Sequence, residues 1–350
     1  MSKKKIVHLL RSNQFSGAEN VVCQIANLFK NEESCGMLYC SPDGPIRKAV
    51  TERGVAFYPL ESFSVRAVRK MIDELQPQII HAHDAAACVL ATLATLGRKD
   101  IKIIPHIHGN HPNMRHLSLK SLLFFLLSCR WKDIIWVSQS ALDNYAFSSF
   151  VKEKSTVLPN IITLPEEVIE ENETSDKAFD CLVLGRLSIP KNPLRALKVF
   201  KEVIQTYPHL KVAFVGDGEL REDCLQFVKE EQLEENIQFL GFIENPMTIV
   251  EASRLLVMTS AWEGTPMCAL EAMSRGLPIV STPTDGLVDL IEQGKTGFYS
   301  DDDHLLATSI VDYLSDPIRY QELTENTKQR FAQIMDVEGY QQTLDALYKK

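Results

Sequence analysis

Short, continuous apolar runs alternate with longer segments of helical period through most of this 350-residue chain. In the first half the runs fall at residues 6–10, 36–40, 78–81, 101–107, 133–137 and 156–158. Runs that are largely apolar, rather than alternating with polar positions, belong to strands buried on both faces. Such strands, separated by helical segments, predict βαβ units and a parallel sheet with helices on both sides. The pattern stops at residues 164–177, where Glu, Asn and Thr dominate and no apolar period survives; this reads as a linker. It then resumes, with strands expected at 179–184, 211–215, 237–240, 255–259, 278–281 and 297–299. Helices fill the gaps, for example at 193–206 and 219–230.

The expected fold class is therefore α/β, two Rossmann-like domains with parallel sheets. The first spans residues 1–163, the linker 164–177 and the second domain 178–335, and a C-terminal helix at 336–350 can pack back on the first domain. Ligands of open parallel sheets lie beyond the carboxyl ends of the strands, so the expected site is a cleft between the two domains.

Composition narrows the function. Hydrophobic residues at 45% and charged residues at 24% suit a soluble globular enzyme, and a net charge of −9 argues against a general nucleic-acid binder. The apolar run at 6–10 is shorter than a secretory signal needs, and the longest run, 122–127, is far short of the roughly 20 residues of a spanning helix. A cytoplasmic location is expected. Eight cysteines without a CxxC pair read as reduced thiols.

The richest stretch runs from Ala261 through Glu263, Gly264, Thr265, Pro266, Met267, Cys268, Ala269 and Glu271 to Gly276 and Pro278. Thr265 suits an N-cap, Pro266 a first helical residue and Gly276 a helix stop. The N–H groups of Met267, Cys268 and Ala269 would then form an anion site at the helix start, with Glu271 one turn on. An ordinary α/β turn with two solvated glutamates remains the alternative. Upstream, Gly185 and Arg186 follow the strand at 179–184, with Lys191 in the same loop. Two cations there could offset the charge of a diphosphate, or be plain surface residues. The stretch from Gly216 to Arg221 carries Arg where a dinucleotide fingerprint has its third glycine, which argues against an NAD enzyme.

Together, Arg186 and Lys191, Glu263-x7-Glu271, Gly276-x-Pro278 and Gly294-Lys-Thr-Gly297 resemble family four of the glycosyltransferases, retaining enzymes with the two-domain fold called GT-B. Val157-Leu-Pro-Asn160 and Phe239-Leu-Gly241-Phe242 extend the resemblance over nearly the whole chain, more loosely in residues 1–150. It implies a nucleotide-sugar donor, a UDP-sugar, on the C-terminal half, its base near Phe242 and Ile243. Gly17, Arg186, Lys191 and the amides of Met267, Cys268 and Ala269 would hold the diphosphate, and Glu271 the ribose. Glu263 would face the transferred sugar and His108 would sit near the reacting centre. The implied mechanism is front-face, with no metal and no other cofactor. The acceptor would be a glycan or a lipid-linked saccharide in cell-surface polysaccharide biosynthesis, a capsule or exopolysaccharide. An epimerase of the same fold and a non-catalytic nucleotide-sugar-binding module are the rival readings. Two departures stand out: Ile161 follows Asn160 where glycine is frequent, and Gly17 stands alone where two glycines are frequent.

Three further features compete for attention. His81, His83, His106, His108 and His111 suggest a metal cluster, but each pair falls at a strand end without a matching ligand set, so no metal is expected. Asp301, Asp302 and Asp303 contain a DxD spacing, yet precede an apolar helix start and read as a cap. The segment 117–131, opening on Leu117 and closing on Trp131 with Arg115, Arg130 and Lys132 around it, is either a buried helix or a peripheral contact with the inner face of the membrane.

Overall fold

The computed structural model describes residues 4–109, 111–163 and 177–349, so the expected linker lies outside the described residues except for Lys177. The chain divides into two compact units, Met1–Thr163 with Asp336–Lys350, and Leu164–Met335. The first unit runs β1 (Lys4–Leu9), α1 (Gly17–Leu28), β2 (Cys35–Pro42), α2 (Pro45–Glu52), β3 (Phe57–Leu60), α3 (Val65–Leu75), β4 (Ile79–His83), α4 (Asp84–Ala94) and β5 (Lys102–Ile107). It continues with α5 (Pro112–Arg115), α6 (Leu119–Ser128), β6 (Ile134–Trp136), α7 (Gln139–Asp143), α8 (Ser148–Val151) and β7 (Ser155–Val157). The second unit holds β8 (Phe179–Leu184), α9 (Pro193–Thr206), β9 (Val212–Val215), α10 (Arg221–Glu230), β10 (Ile237–Gly241), α11 (Met247–Glu251) and β11 (Ser253–Met258). It ends with α12 (Met267–Ser274), β12 (Ile279–Ser281), α13 (Asp285–Leu290), β13 (Gly297–Tyr299), α14 (Asp303–Ser315) and α15 (Pro317–Ile334); α16 (Val337–Lys349) then returns to the first unit.

Both sheets are parallel, in the orders β3-β2-β1-β4-β5-β6-β7 and β10-β9-β8-β11-β12-β13. In each, the first strand sits inside the sheet and the chain winds outward on one side before returning to the other. The reversals fall between β1 and β4 and between β8 and β11, the switch points where ligands of such sheets bind. Burial explains why the strand runs were legible: β9 buries all four of its residues and β1 its last four. The strand that the pattern missed, β3, carries Pro59 and lies at the sheet edge, where a residue without an N–H is tolerated. At the centre of the second unit the loops after β8 and β9 meet backbone to backbone. Gly216 sits at φ 141°, and a Cβ there would lie 1.9 Å from the carbonyl oxygen of Gly185. All eight cysteines are free thiols.

One polar feature interrupts the apolar interior of the first unit. Register pairs His8 with His81 and His83 with His106, and residues two apart on a strand share a face. Five histidines, at 8, 81, 83, 106 and 108, therefore gather on one face of β1, β4 and β5. The sequence paired them strand by strand; His8 was not among them, and His111 stands apart, its Nδ1 accepting from the N–H of Asn113. Nδ1 of His8 is 3.0 Å from Nε2 of His83, and Nδ1 of His83 is 2.7 Å from Nε2 of His108. Alongside, Nε2 of His81 is 3.2 Å from Nδ1 of His106, and Nδ1 of His81 is 2.8 Å from the hydroxyl of Tyr348 on α16. The same helix is fastened by Lys102, whose ammonium donates to the carbonyl of Leu347 at 2.7 Å.

Burial lowers the pKa of every ring in this column, His8 to about 3 and His81, His83 and His106 well below the ordinary 6.5. The folded state thus holds neutral rings while the unfolded chain takes up protons below pH 6.5. Stability is complete above that value and is lost as pH falls toward the folded pKa values, by up to about 1.4 kcal/mol per pH unit for each ring. The melting midpoint should be level from about pH 8 to 7 and drop steadily between about pH 6.5 and 5, above the range in which most carboxylates titrate. A midpoint unchanged down to about pH 5 would contradict a buried neutral column.

Candidate functional site

The residues singled out in the second half converge on one edge of the second unit, because all six of its strands point the same way. Arg186 follows β8, Gly216 follows β9, Phe242 and Ile243 follow β10, and Glu263 follows β11. Arg186 is exposed, and Phe242 leaves 64% of its surface in solvent, unusual for a phenylalanine beside a sheet.

The loops after β8 and β11, on either side of the switch point, are joined three times. The N–H of Ala261 donates to the carbonyl of Pro190 at 2.7 Å, and Thr259 Oγ1 donates to the carbonyl of Asn192 at 2.9 Å. Between them Lys191 Nζ lies 2.5 Å from Glu263 Oε1, which also accepts from Ser260 Oγ at 2.6 Å. Glu263 is 9% exposed and Lys191 28%, so this pair is largely withdrawn from water. Burial alone would lower the pKa of Lys191, but the facing Glu263 outweighs it and the net shift is upward. The sequence expected Lys191 and Glu263 to serve different parts of a ligand; in the fold they neutralise each other, because a lone charge here would be costly. Asn192, at φ 48°, is a strained left-handed residue that starts α9 and turns Lys191 toward β11.

Helix α12 begins one residue later than expected. Pro266 is extended at ψ 123° and acts as the N-cap, so Thr265 is not the cap and no side chain caps this end. The N–H of Ala269 donates to the carbonyl of Pro266 at 3.1 Å and is not a free donor; Met267 and Cys268 carry the N–H groups without a helical acceptor. Burial pushes the Cys268 thiol up to about 12, which removes it as a nucleophile at neutral pH. Glu271 lies half-buried on the next turn. The loop carrying Glu263 is pinned from behind, since a Cβ on Gly286 would lie 1.4 Å from the carbonyl oxygen of Gly264.

In the first unit, Gly17 opens α1 after β1 with a backbone outside the left-handed region, so its contribution there is a missing side chain. His108 follows β5. Its N–H donates at 3.0 Å to Oδ1 of Asp84, which the sequence set beside the histidines without a role of its own. Asp84 starts α4 at φ 65°, and a carboxylate directly after the HAH run was the available signal.

The aspartate run resolves as structure. Asp302 caps α14, accepting from the N–H of His304 at 2.8 Å and of Leu305 at 3.4 Å, while Asp301 and Asp303 bind Arg195. The segment 117–131 is mixed rather than uniform. Phe124 and Trp131 are core, with Trp131 Nε1 donating to Thr92 Oγ1 at 2.9 Å, whereas Leu117, Leu119, Leu122 and Leu126 are exposed. Among the described residues, no helix is long and apolar enough to cross a membrane.

A family model described as Glycosyltransferase Family 4 matches residues 15–164, and one described as Glycosyl transferases group 1 matches residues 165–330. The chain is 28% identical over 234 residues to an uncharacterized glycosyltransferase of Methanocaldococcus jannaschii, a match spanning 61% of this chain and 58% of that protein. It is 26% identical over 330 residues to the UDP-Gal:alpha-D-GlcNAc-diphosphoundecaprenol alpha-1,3-galactosyltransferase of Escherichia coli, covering 85% of this chain and 84% of the relative. The crystal structure of Anabaena HepE in complex with UDP and glucose superposes with a TM-score of 0.85 at 20% identity, over 99% of this chain and 100% of that one, and shares its fold. With the two models adjoining across residues 15–330 and both parallel-sheet units in place, the chain belongs to glycosyltransferase family 4 and has the GT-B fold.

Proposed function

We propose that this glycosyltransferase moves a hexose from a UDP-sugar to a lipid-linked or glycan acceptor in building a cell-surface polysaccharide, with retention and without a metal ion. The observation that carries the reading is the gathering of Arg186, the Lys191–Glu263 pair and the start of α12 at one strand edge of the second unit. UDP and a diphospholipid acceptor are supported by the Escherichia coli relative, whose name contains both a UDP-sugar and a diphosphoundecaprenol.

On this reading the diphosphate takes Lys191 from Glu263. Arg186 joins it, with the N–H groups of Met267 and Cys268. The bond between the sugar's anomeric carbon and the diphosphate oxygen breaks, and negative charge grows on the leaving group. Each charge-assisted contact there contributes roughly 1.5–3 kcal/mol. The acceptor oxygen bonds the anomeric carbon on the same face, and its proton passes to a diphosphate oxygen. Glu263, released from Lys191, faces the sugar as its ring gains positive charge. Glu271 holds the ribose hydroxyls, and Phe242 and Ile243 offer apolar surface to the base.

The two glutamates separate by experiment. Glu271→Ala should weaken UDP binding on the order of 30- to 1000-fold, the loss of roughly 2–4 kcal/mol of uniform binding. Glu263→Gln should leave UDP affinity within a few-fold but lower kcat by about 100-fold, because its contact strengthens toward the transition state. Calorimetric titration with UDP and a transfer assay, both in excess EDTA, measure this. Swapped phenotypes, or activity that needs Mg²⁺ restored, would overturn the assignment.

The exposed leucines of α6 support a peripheral contact with the inner membrane face, where a lipid-linked acceptor is found. Leu119 is 83% exposed and Leu126 57% exposed, with Arg115, Lys120 and Arg130 nearby in the sequence. Leu119→Glu with Leu126→Glu should release the protein from anionic vesicles in a sedimentation assay without lowering its melting midpoint. Equal sedimentation of variant and parent would end the membrane reading.

A further inference from the structure

Glu263 has a second partner besides Lys191, and the two share one oxygen of its carboxylate. Oε1 lies 2.5 Å from Lys191 Nζ and 2.6 Å from Ser260 Oγ. Oε2 takes no hydrogen bond from any described residue, yet it is not among the polar atoms buried without a partner. The carboxylate is held at one end and open at the other.

The two partners are mounted differently. Lys191 reaches Oε1 from the loop after β8 on a flexible four-carbon stem, and its side chain is 28% exposed. Ser260 is buried at the end of β11 and fixed on every side. Its carbonyl accepts from Thr282 Oγ1 at 2.7 Å, and the N–H of Thr282 donates to the carbonyl of Met258 at 2.9 Å, which ties this turn to the end of β12. Its two neighbours are tied the other way, Thr259 to Asn192 and Ala261 to Pro190. An anion that enters from solvent can draw the ammonium aside while the hydroxyl stays where it is. The carboxylate that remains is 9% exposed, and a carboxylate so far withdrawn from water is unfavourable without a donor. Among the described residues, Ser260 is the donor left to it.

We propose that Ser260 is a positioning residue of the donor site: its hydroxyl keeps Oε1 of Glu263 paired when a diphosphate draws Lys191 away, and so leaves Oε2 as the oxygen that meets the ligand. This rests on the reading of the site as one for a nucleoside diphosphate. Ser260 touches no ligand and acts through Glu263. It makes separation of the ion pair less unfavourable, and it fixes the rotation of the carboxylate. All the residues involved belong to the second unit.

Calorimetric titration of UDP into four proteins in EDTA tests this: the parent, Ser260→Ala, Glu263→Gln, and Ser260→Ala/Glu263→Gln. Ser260→Ala should bind UDP about 10-fold more weakly than the parent, because binding then strands a carboxylate that has no donor. Beside Glu263→Gln the same substitution should change affinity by less than about three-fold, since an amide has no charge to strand. A merely structural role would lower the melting midpoint in both backgrounds and leave UDP affinity unmoved. Equal UDP affinity in Ser260→Ala and the parent, or the same loss in both backgrounds, would overturn the proposal. Should Ser260→Ala fail to fold, Ser260→Cys keeps the volume with only a weak donor, and the same pair of comparisons decides. A parent that binds no UDP would refute the nucleoside diphosphate reading and the role of Ser260 with it. Tight binding by the parent that survives loss of the hydroxyl would refute the role of Ser260 alone.

Discussion

The contact on which the second unit's site depends is the ion pair of Lys191 and Glu263. Each partner ends a loop on one side of the switch point, and each is too buried to be left alone: removing one member of such a pair costs roughly 3–5 kcal/mol. The pair is therefore not best understood as a source of stability. It holds two charges in mutually cancelled form, which on the proposed function a charged ligand would draw apart. The backbone bond from Ala261 to Pro190 and the side-chain bond from Thr259 to Asn192 hold the same two loops together. These two bonds do not involve the side chain of Lys191, whose stem passes beside Gly185 at φ 146°.

The two units solve the problem of buried polarity in opposite ways. The second pairs opposite charges, Lys191 with Glu263, beyond its strand ends. The first keeps five imidazoles uncharged on one sheet face, closed off by Tyr348 of the C-terminal helix. Two left-handed residues stand at helix starts, Asp84 opening α4 directly after β4 and Asn192 just before α9.

Much of this was legible in the sequence because parallel strands buried on both faces announce themselves as unbroken apolar runs. Residues 179–184 and 297–299 and the helix at 193–206 fall where the pattern put them. The edge strand β3 escaped because proline breaks its run, and α12 starts late because Pro266 serves as cap instead of first turn. Spacing brought Arg186, Glu263 and Glu271 to notice, but spacing carries no partners. That Lys191 would bind Glu263, or that His8 would join two histidine pairs distant in sequence, depends on strand order and register, which only the folded sheets supply. The same limit applied to α6, whose apolar residues look alike in sequence yet divide into core at Phe124 and surface at Leu119.

The central claim is that Lys191 leaves Glu263 for the donor's diphosphate, and calorimetric titration of UDP into Lys191→Met tests it most directly. Carried out in EDTA, with the Lys191→Met/Glu263→Gln double variant alongside to remove the stranded carboxylate, it should show affinity about 10- to 100-fold below the parent in both proteins. Binding of UDP by the double variant as tightly as by the parent would mean that Lys191 serves only to neutralise Glu263, and the account of this site would be wrong.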